Sequence, residues 1–160
     1  MADNDLSRMD EWFGQILAGM APAERRKAAL KLGQALRRSN LKRVADNVEP
    51  DGRPMVPRKP RLDRPGKLRK RQSGKMFKGL RKLRNWKIIA DAEGVTIAPA
   101  GGNVDRVASV SHYGEVATVG YLRGGAPIRA RYPVRRILGF APDDEHTALE
   151  IAASLLQPEN

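Results

Sequence analysis

The stretch that most constrains how this chain can fold covers residues 53–87, where nearly every charged side chain is basic. Its only acid is Asp63, so its net charge exceeds the +12 of the whole chain and the remaining sequence is close to neutral. A block of like charge repels itself, and we expect it to stay open until it meets an anion or a partner. The basic residues are Arg53, Arg58, Lys59, Arg61, Arg64, Lys67, Arg69, Lys70, Arg71, Lys75, Lys78, Arg81, Lys82, Arg84 and Lys87.

Four prolines make the first part of this stretch extended. Pro54, Pro57, Pro60 and Pro65 follow a turn over 49–52 and deny regular helix or sheet structure. We call residues 50–75 the basic arm. We predict that it separates an N-terminal helical region over 1–49 from a small α+β domain over 76–160.

Two helices are predicted before the arm. Apolar residues recur at helical spacing over 5–19, and Pro22 begins a longer helix over 22–46. Gly33 lies inside the longer helix, where glycine lowers helix propensity by roughly 1 kcal/mol relative to alanine. This glycine either permits a close contact with another element or has no structural role.

Helical spacing returns over 67–84, and strands follow. The apolar edge of that helix would be Leu68, Met76, Phe77, Leu80 and Leu83. Strands are predicted over 86–92, 95–99, 116–122 and 128–132, with a helix over 104–113 that stops at Gly114 and a closing helix from Pro142. The order predicts an α+β fold: N-terminal helices, an extended basic arm, a small antiparallel sheet packed by helices, and a C-terminal helix.

The sequence does not show the residue patterns that enzymes and metal sites need. The chain has no cysteine, which excludes disulfides, thiolate metal sites and a cysteine nucleophile. His112 and His146 lack partners at metal-ligand spacing, and no phosphate-binding loop or nucleophile elbow occurs. We therefore predict that the protein is not an enzyme and uses no cofactor and no metal.

The sequence indicates a soluble protein rather than a membrane protein. No apolar run approaches the roughly 18–20 residues that span a bilayer. The N-terminus is acidic and does not have the pattern of a signal peptide. We expect a protein made and used in a cytoplasm.

The basic arm admits three interpretations. Lysine and arginine suffice to neutralise phosphates, so nonspecific binding of nucleic acid is the first. Base stacking would need interleaved aromatic residues, and only Phe77 and Trp86 lie in the region, so specific recognition is poorly supported. Docking on an acidic protein surface is the second interpretation, and a solvated loop is the third.

A set of short motifs occurs in a distinctive order. They are Trp12 in an acidic N-terminal helix, Arg37-Arg38-Ser39, Pro50-Asp51-Gly52-Arg53-Pro54, Pro57-Arg58-Lys59-Pro60, Lys75-Met76-Phe77 with Leu80-Arg81, His112-Tyr113-Gly114, and Tyr132-Pro133-Val134-Arg135-Arg136-Ile137-Leu138-Gly139-Phe140 followed by Asp143. Together they cover nearly the whole chain and resemble the phage virion morphogenesis family, the S-type tail-completion proteins of contractile-tailed phages. The departures are Tyr113, where Gln is common, and Val134, where Ala is common.

The resemblance implies a structural protein of the virion neck that completes the tail and supports head–tail joining as an oligomeric ring. The implied partners are neighbouring copies in a hexameric ring, tail-tube or terminator proteins, head-connector proteins and, nonspecifically, genomic DNA in the channel, with no membrane. The implied location is the virion, after assembly in the host cytoplasm. The alternative left open is a nonspecific nucleic-acid-binding protein that uses residues 53–87.

The resemblance also suggests which residues meet those partners. Within residues 132–140, the guanidinium groups of Arg135 and Arg136 would make bidentate hydrogen bonds to carboxylates. The apolar side chains of Ile137, Leu138 and Phe140 would insert into a core or into a neighbouring protein. The equal alternative is a strand-to-helix corner within one subunit. Predicted partner or subunit contacts are Arg58, Lys59, Arg61, Arg69, Lys70, Arg71, Tyr132, Pro133, Arg135 and Arg136. Predicted DNA-channel contacts are Lys75, Lys78, Arg81 and Lys82.

Overall fold

A computed structural model of the chain describes residues 14–15, 18–58 and 76–155. The elements are helix α1 (Pro22–Asp46), a 3-10 helix (Leu83–Asn85), strands β1 (Trp86–Ala90) and β2 (Val95–Pro99), helix α2 (Gly102–Tyr113), strands β3 (Val116–Tyr121) and β4 (Pro127–Arg131), and helix α3 (Pro142–Leu155). This order of helices and antiparallel hairpins confirms the predicted α+β class. The helix predicted over 5–19 lies largely outside the described residues, in which no helix is long and apolar enough to cross a membrane.

The antiparallel pairing follows the prediction and is divided between two sheets. In the described part of the chain β1 pairs with β2 and β3 pairs with β4, each as a two-stranded sheet. Asp91 closes the first hairpin, because its Oδ1 accepts hydrogen bonds from the backbone N–H groups of Glu93 and Gly94 at 2.9 and 2.8 Å. Such a side-chain turn explains how the hairpin closes without an Asn-Gly or Asp-Gly pair.

Helix α1 has the predicted bounds, and its two ends show why. Pro22 lies in the first turn, where a backbone N–H has no partner within the helix. The Glu24 carboxylate accepts a hydrogen bond from the backbone N–H of Ala21 at 3.2 Å. At the other end, Asn47 adopts a left-handed φ of 58°, which asparagine tolerates better than most residues. Helix α2 likewise ends at Gly114, with a φ of 67°.

The described residues group into two compact units. The first takes residues up to Leu36, Ile88–Ile97 and those from Pro142 onward, and the second takes the described parts of Arg37–Lys87 and Ala98–Ala141. The core of the second unit consists of Leu41, Val44, Met55, Met76, Phe77, Leu80, Trp86, Ala108, Val110 and Ile137. The three-region division at 50 and 75 stays a prediction, because arm residues 59–75 lie outside the described part.

The helix predicted over 67–84 is wrong from Met76 onward. The chain turns there instead, with Phe77 at a left-handed φ of 59°. Met76, Phe77 and Leu80 are buried, whereas Leu83 is 47% exposed. Helical spacing of apolar residues was therefore misleading, because a turn buries three of the same side chains without forming a helix.

Gly33 marks a close approach of α1 to the β1–β2 hairpin within the first unit. A Cβ atom at this position would lie 2.4 Å from Val95 Cγ2 and 3.0 Å from Ile88 Cγ2. Of the two interpretations of Gly33, the close contact is therefore correct. The helix gives up some intrinsic propensity at Gly33 and gains direct packing on the hairpin.

We predict that Gly33→Ala lowers the free energy of unfolding by about 1 kcal/mol, although alanine is the better helix former. Overpacking typically costs roughly 1–3 kcal/mol, which exceeds the propensity gain of about 1 kcal/mol. Urea unfolding measures the change, with exposed Gln34→Ala as the matched control in the same helix. Combining Gly33→Ala with Val95→Ala should show favourable coupling in a double-mutant cycle. A stabilised single variant would contradict the packing argument.

Candidate functional site

Residues 132–140, here called the connector, join β4 to α3 without regular secondary structure. Gly139 is held through both of its backbone groups: its N–H donates to Asn40 Oδ1 at 3.0 Å and its carbonyl accepts from Arg43 Nη2 at 2.9 Å. Ile137 is only 2% exposed. The middle of the connector is thus core of its own subunit, which favours the corner interpretation there.

Arg135 is the buried charge of the connector. It is 4% exposed, and its Nε and Nη2 donate to the carbonyls of Val56 and Pro57 at 2.6 and 3.2 Å. Burial lowers the pKa of Arg135, and the nearby charge of Arg58 lowers it further. Carboxylates were expected as its acceptors, and backbone carbonyls take their place. A desolvated guanidinium needs acceptors, and carbonyls supply them as well.

The ring of Phe77 lies close to two arginine side chains, Arg58 before the undescribed part of the arm and Arg135 in the connector. Its ring centroid lies 6.0 Å from the guanidinium carbon of Arg58 and 6.0 Å from that of Arg135. Both distances are within reach of a cation–π attraction. In the sequence, residues 59–75 fall between Arg58 and Met76, so the described flanks on the two sides of this segment meet at Phe77. We call this place the stem: Val56, Pro57, Arg58, Phe77 and Arg135.

The predicted contact residues differ in exposure. Among the partner contacts Arg58 and Arg136 are exposed, Tyr132 and Pro133 are half-buried, and Arg135 is buried. Among the DNA-channel contacts Lys78 and Lys82 are exposed and Arg81 is half-buried. The others, Lys59, Arg61, Arg69, Lys70, Arg71 and Lys75, lie outside the described residues. All these roles stay predictions.

An open groove of about 270 Å³ lies beside the stem, lined by Glu49, Arg53, Pro54, Val56, Val134 and Arg136. Its rim charges satisfy one another. Arg53 Nε donates to Asp51 Oδ2 at 2.8 Å, and Arg136 Nη1 lies 4.0 Å from the same oxygen. The hydrogen bonds from Arg53 hold the pKa of Asp51 below its usual range. The groove therefore presents the side chains of Val56 and Val134 between arginines that are already near an acid. It has no free cationic group directed at a small anion among its lining residues.

The described residues do not assemble a metal centre. No three histidine, cysteine, aspartate or glutamate side chains in the described ranges lie close enough together to hold an ion. The two histidines differ in exposure and in the groups that they contact. His146 is exposed and lies 3.2 Å from Glu150 one helical turn later, whereas His112 is part of the connector's support.

His112 holds the connector through its ring. Its Nδ1 accepts a hydrogen bond from the backbone N–H of Ile137 at 3.2 Å, which requires the neutral ring with its proton on Nε2. Burial lowers the pKa of His112, the charge of Arg136 lowers it further, and Glu49 opposes both. No local signal in the sequence revealed this contact, because the partner lies 25 positions away.

We predict that the protein loses stability as the pH falls below about 6.5, the ordinary pKa of histidine. The unfolded chain takes up a proton there while the folded chain resists it, so the unfolded state binds more protons and stability rises with pH. His112 contributes fully above this value, and its contribution is lost as the pH falls toward the lower folded pKa. Urea unfolding across this range should show the slope in the wild type and in His146→Asn. His112→Asn should lose it, and an unchanged slope would contradict the assignment.

Comparison with known proteins agrees with the resemblance drawn from the motifs. The sequence model of the phage virion morphogenesis family matches residues 4–157. Tail completion protein S of Escherichia phage P2 is 30% identical over 154 residues, which cover 96% of this chain and 99% of that protein. No solved structure shows a significant match. Because the family match runs over nearly the entire sequence, the chain belongs to the phage virion morphogenesis family.

Proposed function

We propose that this protein is a structural component of a phage tail, which completes the tail end and supports its joining to the head as an oligomeric ring. The observation that carries the proposal is the similarity to tail completion protein S of phage P2, which extends over 99% of that protein. A similarity that covers nearly all of both chains favours a shared role. The proposed location is the finished virion, reached after assembly in the host cytoplasm.

The geometry of the stem supports a role for the arm in this assembly. Residues 59–75 carry eight basic residues and one acid, and both of their flanks are anchored at Arg135 and Phe77. The basic residues can therefore serve a partner while the core of the second unit stays intact. We propose acidic surfaces of neighbouring copies, tail proteins and head-connector proteins as those partners. The exposed Lys78 and Lys82 would face the DNA in the channel.

A second candidate function rests on charge alone. Fifteen basic residues against one acid in residues 53–87 would also suit a nonspecific nucleic-acid-binding protein. Such a protein would bind DNA with an affinity that falls steeply with salt, and it would not need tails. The two candidates therefore differ in what the protein associates with after nuclease treatment.

A complementation experiment tests the proposed function. A nonsense mutation in the gene, in the phage or prophage that encodes this chain, should leave filled heads and tails that are not joined. Adding the purified protein to that extract should restore infectious particles, and the protein should stay on tails after nuclease treatment. Normal particles without the protein would overturn the proposal. Release from tails by nuclease would favour the nucleic-acid-binding alternative.

A further inference from the structure

The β3–β4 hairpin exposes more apolar surface than a finished sheet would. Every residue of β4 is exposed, and among the described residues β3 and β4 pair only with each other. Val119 is 50% exposed and Tyr121 is 71% exposed. A two-stranded hairpin is only marginally stable in water by itself, so an additional strand would stabilise it.

The two free edges of this hairpin are not equivalent. Strand β4 begins with Pro127 and carries Arg129 and Arg131, which are the residue types that protect an edge from pairing. Strand β3 reads VATVGY and has neither a charge nor a proline. By charge and proline content, the edge of β3 is therefore the one more open to another strand. The register passes from Thr118 directly to Gly120, so Val119 forms a bulge, and Val116 and Tyr121 lie on the same face of the sheet.

We propose that β3 pairs antiparallel with β3 of a second copy of this chain, about a two-fold axis between residues 118 and 119. The result is a four-stranded sheet in the order β4-β3-β3-β4. This register places Val116 of each copy opposite Tyr121 of the other, and a β-branched residue opposite an aromatic one is a favourable cross-strand pair. The proposal goes beyond the tail role and does not depend on it.

Charge favours a second copy joined through β3 rather than through β4. In the proposed sheet the two β4 strands are three strand spacings apart, roughly 14 Å, and at physiological salt charges are screened over about 8 Å. Pairing through β4 would instead place arginines of both copies about 5 Å apart. In a chain with a net charge of +12, the uncharged edge is the one where two copies can meet without repulsion.

Cysteine cross-linking tests the register, because the chain has no cysteine of its own. In Val116→Cys/Tyr121→Cys the two thiols of one chain are separated by roughly 16 Å of extended strand, too far for an internal disulfide. Mild oxidation should therefore produce covalent dimers. The matched control is Pro127→Cys/Arg131→Cys, which places two thiols at the same kind of edge on β4 and should remain monomeric on a non-reducing gel. Equal dimer yields from both variants would overturn the proposal.

A charge placed on β3 tests the dimer itself. Sedimentation should show a dimer for the full-length wild type, and Tyr121→Lys should raise the dissociation constant by on the order of tenfold or more. The control is Tyr113→Lys, since Tyr113 is 69% exposed and lies outside the strands. This variant should remain a dimer, and circular dichroism should show all three proteins folded. A monomeric wild type, or an oligomer that Tyr121→Lys leaves unchanged, would overturn the proposal.

Discussion

Replacing Arg135 with alanine should lower the free energy of unfolding by about 2–4 kcal/mol, the largest effect that we expect from a single polar residue of this chain. The substitution removes two charge-assisted hydrogen bonds and leaves the carbonyls of Val56 and Pro57 without their donor in a partly buried site. It also removes one of the two guanidinium groups that lie 6.0 Å from the ring of Phe77. Urea or thermal unfolding of the purified protein measures the loss.

The neighbouring arginine provides the matched control for this effect. Arg136 has a 56% exposed side chain, 4.0 Å from Asp51, so Arg136→Ala should change stability by no more than about 0.5 kcal/mol. Arg135→Met keeps much of the volume and should still cost roughly 1–3 kcal/mol, because the two carbonyls stay unpaired. Equal losses for Arg135→Ala and Arg136→Ala would show that the stem does not depend on the buried guanidinium.

Excising residues 59–75 should abolish tail completion while leaving the folded body nearly as stable as before. The flanks meet at the stem, where Arg58 and Phe77 are within side-chain contact, and an eight-residue Gly-Ser linker can span roughly 25 Å. Halving a loop changes its closure entropy by only about 0.6 kcal/mol. The net charge would fall from +12 to +5, because eight basic residues and Asp63 are removed. Infectious particles in the complementation extract and the melting temperature are the two readouts.

A second arm variant separates charge from chain length. Replacing the basic residues of 59–75 with glutamine keeps the length and removes the charge. This variant should fail as completely as the excision if the arm binds acidic partners or DNA. Full activity of the excised protein would rule out the proposed role of the arm. If the excised protein fails to fold and the glutamine variant folds, the fold requires residues 59–75 themselves.

The elements of the fold could be predicted where their causes are local. Pro22 and Asn47 define the ends of α1, Gly114 ends α2, and alternating side chains mark the strands. The failure after Met76 has the same origin, because a local apolar spacing was taken for a helix while a turn at Phe77 satisfies the burial. The apolar spacing correctly indicated the burial of Met76, Phe77 and Leu80, but it did not indicate the exposure of Leu83 or the turn in the backbone.

The stem and the connector could not be predicted in detail, because their contacts join distant positions. Arg135 reaches carbonyls 79 and 78 positions earlier, and His112 accepts from Ile137 across 25 positions. Backbone carbonyls have no sequence signature, so a buried arginine in the sequence suggests carboxylate partners by default. The motif around Arg135 did mark the right segment, although the acceptors predicted for Arg135 were wrong.

The two hydrogen bonds that α1 makes to the backbone of Gly139 have a consequence for synthesis of the chain on the ribosome. On Gly139, Asn40 Oδ1 meets a donor and Arg43 Nη2 meets an acceptor, so these two hydrogen bonds form only after the residue 99 and 96 positions later has emerged. At 5–20 residues per second, that delay is roughly 5–20 s. During this time the ribosome adds the most cationic part of the polypeptide, residues 53–87. The connector can therefore be fixed on α1 only after these charges have been synthesised.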